Sequence, residues 1–379
     1  MKKLIIVYLI SRMKNTGPNR VLMGIVRHLD RSKFIPVIYT LSDGDSDGMK
    51  KEFEDLGIRV ETFAKNRLVM WVSGKVTLLN MLEKEKPDVI HSHGLRADKV
   101  VADSSGELKK RGIASVSTIH CFFLEDYTLM LPSFIGVIIS EKHIRILRGI
   151  ETPVCCSQAL SEKYQEKYGL LFEYVNNGID VNRFIPLETY TERKYLREKL
   201  GLPEKKAILV VIGILEQRKN PLLIIKAFKK VKENQEAVLV FLGDGGLKET
   251  CLQEIGGSSN ILLCGNVENV EDYLKCADVY ISASSSEGLP NAMLEAGAAG
   301  LEMILSDIPQ QTKIFEESKI EVQTFSCHDQ ENLTELMGKM IRQQHKTNKE
   351  MMRYINTYFS SANMSENYQK IYIRRKNQR

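Results

Sequence analysis

Two successive runs of alternating strand-like and helix-like segments constrain the fold of this 379-residue chain more than any single motif. In the first run, strands are expected at Lys3–Leu9, Phe34–Leu41, Arg59–Phe63, Val89–His91, Ala114–His120 and Pro153–Cys155. Amphipathic stretches at Arg20–Leu29, Gly48–Leu56, Val76–Glu85 and Ser157–Tyr168 read as the helices between them. From Ala207 the cycle restarts. Strands Ala207–Gly213, Val238–Leu242, Ile261–Cys264 and Val279–Ile281 alternate with helices Pro221–Val231, Leu247–Ile255 and Val270–Lys275. Such alternation implies parallel sheets with right-handed crossovers. The length exceeds one usual core, so the expected fold class is α/β, with two Rossmann-like, doubly wound domains joined near 176–206. Ligands of such sheets sit at the carboxyl ends of the strands. Two domains facing each other would put the site in a central cleft.

Composition narrows the function classes. With 43% hydrophobic and 27% charged residues the chain is of globular type, and no apolar run reaches the roughly 20 residues that span a bilayer. The opening MKKLIIVYLI resembles a signal peptide, but its apolar core is short and no small-residue cleavage site follows, so it reads as a buried first strand. Seven scattered cysteines suggest neither a disulfide framework nor a zinc site, and a reducing cytosol is expected. Residues 1–175 hold 26 Lys+Arg against 21 Asp+Glu, and the remainder is balanced at 27 against 27. That mild excess, without a basic module studded with aromatics, argues against nucleic acid. A local feature is sharper: Phe134 to Ile150 interleaves apolar residues with Lys142, His143, Arg145 and Arg148. It reads either as an internal helix or as a basic amphipathic segment lying against an anionic membrane.

The most informative stretch for function is Ser284 to Asp307. A serine run carries Glu287, Gly288-Leu289-Pro290-Asn291 turns the chain, and a helix of small residues carries Glu295 before the strand Met303–Leu305. Amides of the first helical turn, from Asn291 and Ala292, suit an oxygen-rich anion. Two carboxylates eight residues apart, one in the loop and one in the helix, can face one ligand from two sides. The bland reading is a surface loop before a packed helix.

These residues carry a family resemblance over nearly the whole chain. EGLPNAMLE, Glu287 to Glu295, is similar to the E-x7-E signature of the retaining GT-B glycosyltransferases known as glycosyltransferase group 1. PDVIHSHG (Pro87–Gly94), TIH (Thr118–His120), NNGID (Asn176–Asp180), RKNPLLIIKAF (Arg218–Phe228), LVFLGDG (Leu239–Gly245) and Gly265–Ser284 follow in the family's order. The resemblance implies an N-terminal acceptor-binding domain, 1–175 with a returning C-terminal helix in 360–379, and a donor-binding domain, 176–359. The returning helix is expected at Met364–Arg375.

It also implies roles. Glu287 contacts the donor sugar and Glu295 the ribose hydroxyls. Lys219 neutralises the donor diphosphate, whose leaving group gains negative charge. His120 stands beside the reacting sugar, while His91 and His93 read as packing residues or walls. Gly17, in the loop Asn15–Asn19, brings its amide to phosphate or acceptor. Gly243 lies beneath the nucleotide, Asn266 and Val267 line the base pocket, and Gly288, Leu289 and Asn291 complete the donor loop. One departure stands out. Family members commonly carry Arg after the strand-end glycine, and here Gly213 is followed by Ile214. Arg218 is the substitute at hand, although neighbours on a helix point in different directions.

The resemblance implies transfer from a nucleoside diphosphate sugar, UDP first and GDP next, to a glycan or polyprenyl-diphosphate-linked acceptor in capsule, exopolysaccharide or O-antigen synthesis. The resemblance also implies same-face attack, with the departing phosphate oxygen taking the acceptor proton, and the lack of an obvious nucleophile for double displacement agrees with it. No cofactor or metal is expected. Asp43-Gly44-Asp45-Ser46-Asp47-Gly48, with Glu54 at position twelve, fits an EF-hand pattern. A strand precedes it where a helix is required, so it reads as an acidic turn. A cytoplasmic protein is expected; peripheral contact at the inner membrane face follows only if Phe134 to Ile150 is the membrane segment rather than an internal helix. Two rival readings remain: a non-catalytic nucleotide-sugar-binding subunit, supported only by Ile214, and a same-fold nucleotide-sugar epimerase.

Overall fold

The structure is a computed structural model describing residues 2–42, 48–63, 67–316, 318–343 and 347–378, with side chains described for all of these except 67–72. The acidic loop Asp43–Asp47 lies outside the described residues. The chain divides into two compact units, Met1–Gly178 with Ser361–Arg379, and Ile179–Ser360.

In the first unit, seven strands are assigned among the described residues: β1 Leu4–Ile10, β2 Phe34–Thr40, β3 Arg59–Thr62, β4 Val89–His93, β5 Ala114–Ile119, β6 Thr152–Cys155 and β7 Glu173–Tyr174. They form one parallel sheet in the order β3-β2-β1-β4-β5-β6-β7. β1 is a run of Leu, Ile, Val and Tyr because both faces of a parallel sheet are covered by helices, so no alternation survives. The Gly17–Arg27 helix shows the opposite pattern: Val21, Leu22, Ile25 and Val26 are buried at helical spacing. Against it packs the last helix, Ser361–Asn377, which contributes Met364, Tyr368, Ile371 and Tyr372 to the same core.

In the second unit, β8 Ala207–Ile212, β9 Ala237–Leu242, β10 Ile261–Leu263, β11 Val279–Ser282, β12 Glu302–Ser306 and β13 Gln323–Phe325 pair in parallel, in the order β10-β9-β8-β11-β12-β13. The segment read as a linker holds a helix, Tyr190–Lys199, opened by a capping box between Thr189 and Glu192. Its buried Arg197 donates to Asp278 and to the carbonyls of Cys276, Pro203, Glu204 and Lys206. Five acceptors offset the cost of burying that guanidinium.

Each order reverses at one place, between β1 and β4 in the first sheet and between β8 and β11 in the second. Crevices of doubly wound sheets open at such switch points, outside the carboxyl ends of the strands. Among the described residues no helix is long and apolar enough to cross a membrane.

Candidate active site

At the switch point of the second unit, the loop after β8 meets the loop after β11. Gly213 and Ile214 leave β8, and Leu215 pairs with Asp244 and Leu247, so the turn is held down on the end of β9. Gly243 is forced to be glycine: its φ is +144°, and a Cβ there would lie 2.0 Å from the Gly213 carbonyl oxygen. Gly243 also donates to the Gly265 carbonyl at 2.7 Å. That bond brings the end of β10, with exposed Asn266 and half-buried Val267, beside the end of β9.

Arg218 and Lys219 do not lie on an α-helix, which corrects the expectation that they diverge. Gln217–Lys219 is a single 3-10 turn, and Asn220 breaks it with a left-handed backbone (φ 51°, ψ 47°) before Pro221 starts the next helix. Ser285 N donates to the Arg218 carbonyl at 2.9 Å, which stitches this turn to the loop after β11. Both cations therefore reach Glu287: Lys219 Nζ lies 2.5 Å from Oε1 and Arg218 Nη1 3.0 Å from Oε2. Arg218 Nη2 also donates to Glu216. Burial alone would raise the Glu287 carboxyl, but Lys219 and Arg218 outweigh it and hold it below the usual range. Ile214, where the family's arginine would stand, is 56% exposed.

The loop carrying Glu287 is supported from below by a polar network that the sequence did not reveal. Gln311 donates to the Ser282 and Ser306 hydroxyls, and Ser306 donates to the Ser284 carbonyl at 2.5 Å. Gln311 comes from the helix Pro309–Glu316, a segment without a periodic apolar pattern strong enough to read. Pro290 is extended (φ −72°, ψ 117°) and immediately precedes the helix Asn291–Ala298. Gly288 and Leu289 are buried, and Glu295 is half-buried within the helix. Ser286 Oγ and Asn291 Oδ1 are buried without a hydrogen-bond partner among the described residues. Such orphaned acceptors and donors ask for a ligand or water.

The first unit gathers a second cluster at its own switch point. β4 extends to His93, so His91 and His93, two residues apart, point to one face. His93 Nδ1 lies 3.0 Å from His120 Nε2, at the end of β5, and the His91 and His93 rings stack with centroids 4.4 Å apart. His91 is fixed between Tyr372 and Thr118, each at 2.7 Å. Burial pushes His91 down to about 3, His93 well below its ordinary value, and His120 to about 4. All three rings are therefore neutral near pH 7, and the 3.0 Å contact sets complementary tautomers in His93 and His120. Gly17 opens the helix Gly17–Arg27 and is exposed, with open space where a Cβ would stand. Its loop is pinned by Asn19, which donates to the Arg12 and Lys14 carbonyls.

The expected site residues thus fall into two sets. Arg218, Lys219 and Glu287 meet directly, and Gly243 with Asn266 and Val267 forms the neighbouring loop pair. His120 and Gly17 belong to the first unit.

Comparison with known proteins gives a consistent picture. Residues 15–183 match the model "Glycosyltransferase Family 4" and residues 192–357 match "Glycosyl transferases group 1". An Escherichia coli relative, UDP-Gal:alpha-D-GlcNAc-diphosphoundecaprenol alpha-1,3-galactosyltransferase, is 27% identical over 66% of this chain and 65% of its own length. The putative teichuronic acid biosynthesis glycosyltransferase TuaC of Bacillus subtilis is 31% identical over 60% of this chain and 55% of its own length. The matched part thus spans less than two thirds of either relative. Among solved structures, Anabaena HepE in complex with UDP and glucose superposes with a TM-score of 0.77 at 15% identity, over 97% of this chain and 99% of that one.

Proposed function

This chain belongs to the group 1 glycosyltransferases of GT-B fold, and we propose that it moves a hexose from a uridine diphosphate sugar to a glycan or lipid-linked acceptor. In this reading the anomeric configuration is retained and the product is a bacterial surface polysaccharide. The observation that carries the reading is the pair Arg218 and Lys219 converging at the switch point of the second unit. A leaving nucleoside diphosphate gains negative charge, and two preorganised cations at one point lower the barrier to its departure. The relative named for UDP-Gal transfer and the fold neighbour solved with UDP support uridine as the base.

In the proposed step the acceptor hydroxyl attacks the anomeric carbon from the face the diphosphate leaves. The carbon–oxygen bond to phosphate breaks, and the departing phosphate oxygen takes the hydroxyl proton. Glu287 orients the sugar, Glu295 receives the ribose hydroxyls, and Gly288, Leu289 and Asn291 close around the donor. Neutral His120 hydrogen-bonds a sugar hydroxyl. Charge compensation comes from Arg218 and Lys219, so no divalent cation is required. Ile214 favours a binding-only subunit, whereas Arg218 converging with Lys219 on Glu287 supports the transferase reading.

Thermal shift against UDP-, GDP- and ADP-sugars tests the reading, with Lys219→Ala alongside. Stabilisation by UDP-sugars, lost in the variant, is expected. Release of UDP should then require acceptor, survive a chelator, and give a product of unchanged anomeric configuration. A folded protein that no nucleotide stabilises would refute the proposal.

A further inference from the structure

The segment read as lying flat on a membrane has a different geometry. Phe123–Met130 and Ser133–Leu147 are two helices joined through Leu131-Pro132 into an antiparallel hairpin. Its base is locked. A Cβ on Gly136 would lie 2.6 Å from Thr128 N, so the helices touch through backbone. Phe123 stacks on His143 at 3.7 Å, and His143 bridges Tyr127 and buried Asp98, each at 2.9 Å. The turn is the reverse: Leu129, Met130, Leu131, Phe134, Val137 and Ile138 are all exposed, Met130 at 70%, Phe134 at 69% and Ile138 at 63%. Six of the seventeen large apolar side chains exposed among the described residues thus fall within residues 129–138.

Polarity changes along the exposed stripe rather than around the helix. After Phe134, Val137 and Ile138 the outward positions become Glu141, Lys142, Arg145 and Arg148, a net positive collar starting one turn behind the apolar tip. One helical turn is about 5.4 Å. Interfacial helices bury their apolar residues ~5–10 Å deep, so on a bilayer that spacing would put the tip in the acyl boundary and the collar at the headgroups.

We propose that this hairpin docks, tip first, on an anionic lipid bilayer. The collar supplies the charge complementarity that an anionic surface asks for and that a second copy of the same basic collar would oppose. The first helix begins three residues after His120 and has eight residues, about 12 Å at 1.5 Å each. A diphosphate-linked acceptor anchored in the same bilayer would present its terminal sugar near the carboxyl end of β5. This last step rests on the proposed glycosyl transfer; the docking itself does not.

The test uses the full chain and sedimentation with vesicles of phosphatidylcholine alone or with about 30% phosphatidylglycerol, without substrate. Binding to the anionic vesicles is expected. It should fall at least tenfold in the Phe134→Ser/Ile138→Ser variant and in Arg145→Glu/Arg148→Glu. Because these side chains are exposed, unchanged melting curves confirm folding, and UDP-sugar binding should match wild type in every variant. Wild-type protein that binds neither vesicle, or variants that bind as wild type does, would overturn the proposal. So would self-association abolished by the same serine variant without vesicle binding, which would assign the tip to a second copy. Vesicle binding by a protein that binds no nucleotide would uphold the docking while sinking the transferase reading.

Discussion

Lys219 Nζ and Glu287 Oε1 stand 2.5 Å apart, with the glutamate side chain buried and the lysine side chain 19% exposed. Arg218, also 19% exposed, sits on the other oxygen of the same carboxylate. Glu287 therefore neutralises part of the charge proposed to receive the diphosphate. A donor must share these cations with it.

That competition predicts a split phenotype for Glu287→Gln. Removing the carboxylate charge frees both cations, so UDP alone should bind equally or about 3–10-fold tighter. Transfer should fall about 100-fold, because the residue proposed to orient the sugar has lost its charge. Calorimetric UDP affinity compared with turnover checks this, and parallel losses in both would show that Glu287 only holds the site together.

Arg218→Ala tests whether that residue takes the place left by Ile214. A lost charged hydrogen bond is worth about 1.5–3 kcal/mol, so UDP affinity should drop roughly 10- to 100-fold. Adding Ile214→Arg should recover a substantial part of the loss, since the exposed position beside Gly213 has room for a guanidinium. Failure of Arg218→Ala to weaken binding would remove the arginine from the diphosphate site.

The histidine cluster predicts an acid-sensitive first unit. His91, His93 and His120 are held below their ordinary value of 6.5, so the unfolded chain takes up their protons first as pH falls. Their contribution is complete above pH 6.5 and declines as pH drops towards 4. With up to three protons involved, the slope approaches about 4 kcal/mol per pH unit. Unfolding at pH 7.5, 6 and 5 measures it, and His93→Gln should flatten the slope. If His93 also fixes the His120 tautomer, the same variant should lower kcat with little change in the donor KM. An unaltered kcat would leave His93 a packing residue.

The reach of the sequence follows from these particulars. β1 and β8 are legible because uninterrupted apolar runs bounded by turns have few alternatives, and the Gly17–Arg27 helix because its buried positions keep helical spacing. Glu287 and Lys219 could be singled out through a motif resemblance. Their contact could not, because it depends on the left-handed Asn220 ending a 3-10 turn, and Asn tolerates that conformation without announcing it. The Tyr190–Lys199 helix had a readable signal in Thr189 and Glu192, the capping-box spacing. Gln311 had none, since its role comes from tertiary contacts with Ser282 and Ser306. The hairpin at 123–147 shows a further limit: residue order gave its amphipathic character, but only packing decides which apolar residues stay outside.

Two glycine substitutions separate backbone fit from ligand approach. Gly243→Ala puts a methyl group 2.0 Å from the Gly213 carbonyl at a φ of +144°, so the β8 and β9 ends must part. A loss of at least about 3 kcal/mol in the second unit is expected, read as a lower urea midpoint. Gly17→Ala adds its methyl to open space at the start of a helix. Stability should hold or rise by about 0.4–1 kcal/mol, because alanine restricts the unfolded chain more than glycine does. If the Gly17 amide meets phosphate or acceptor at close range, the same methyl group should cut kcat/KM about tenfold or more. An undiminished kcat/KM in a protein at least as stable as wild type would show that no substrate approaches this helix start.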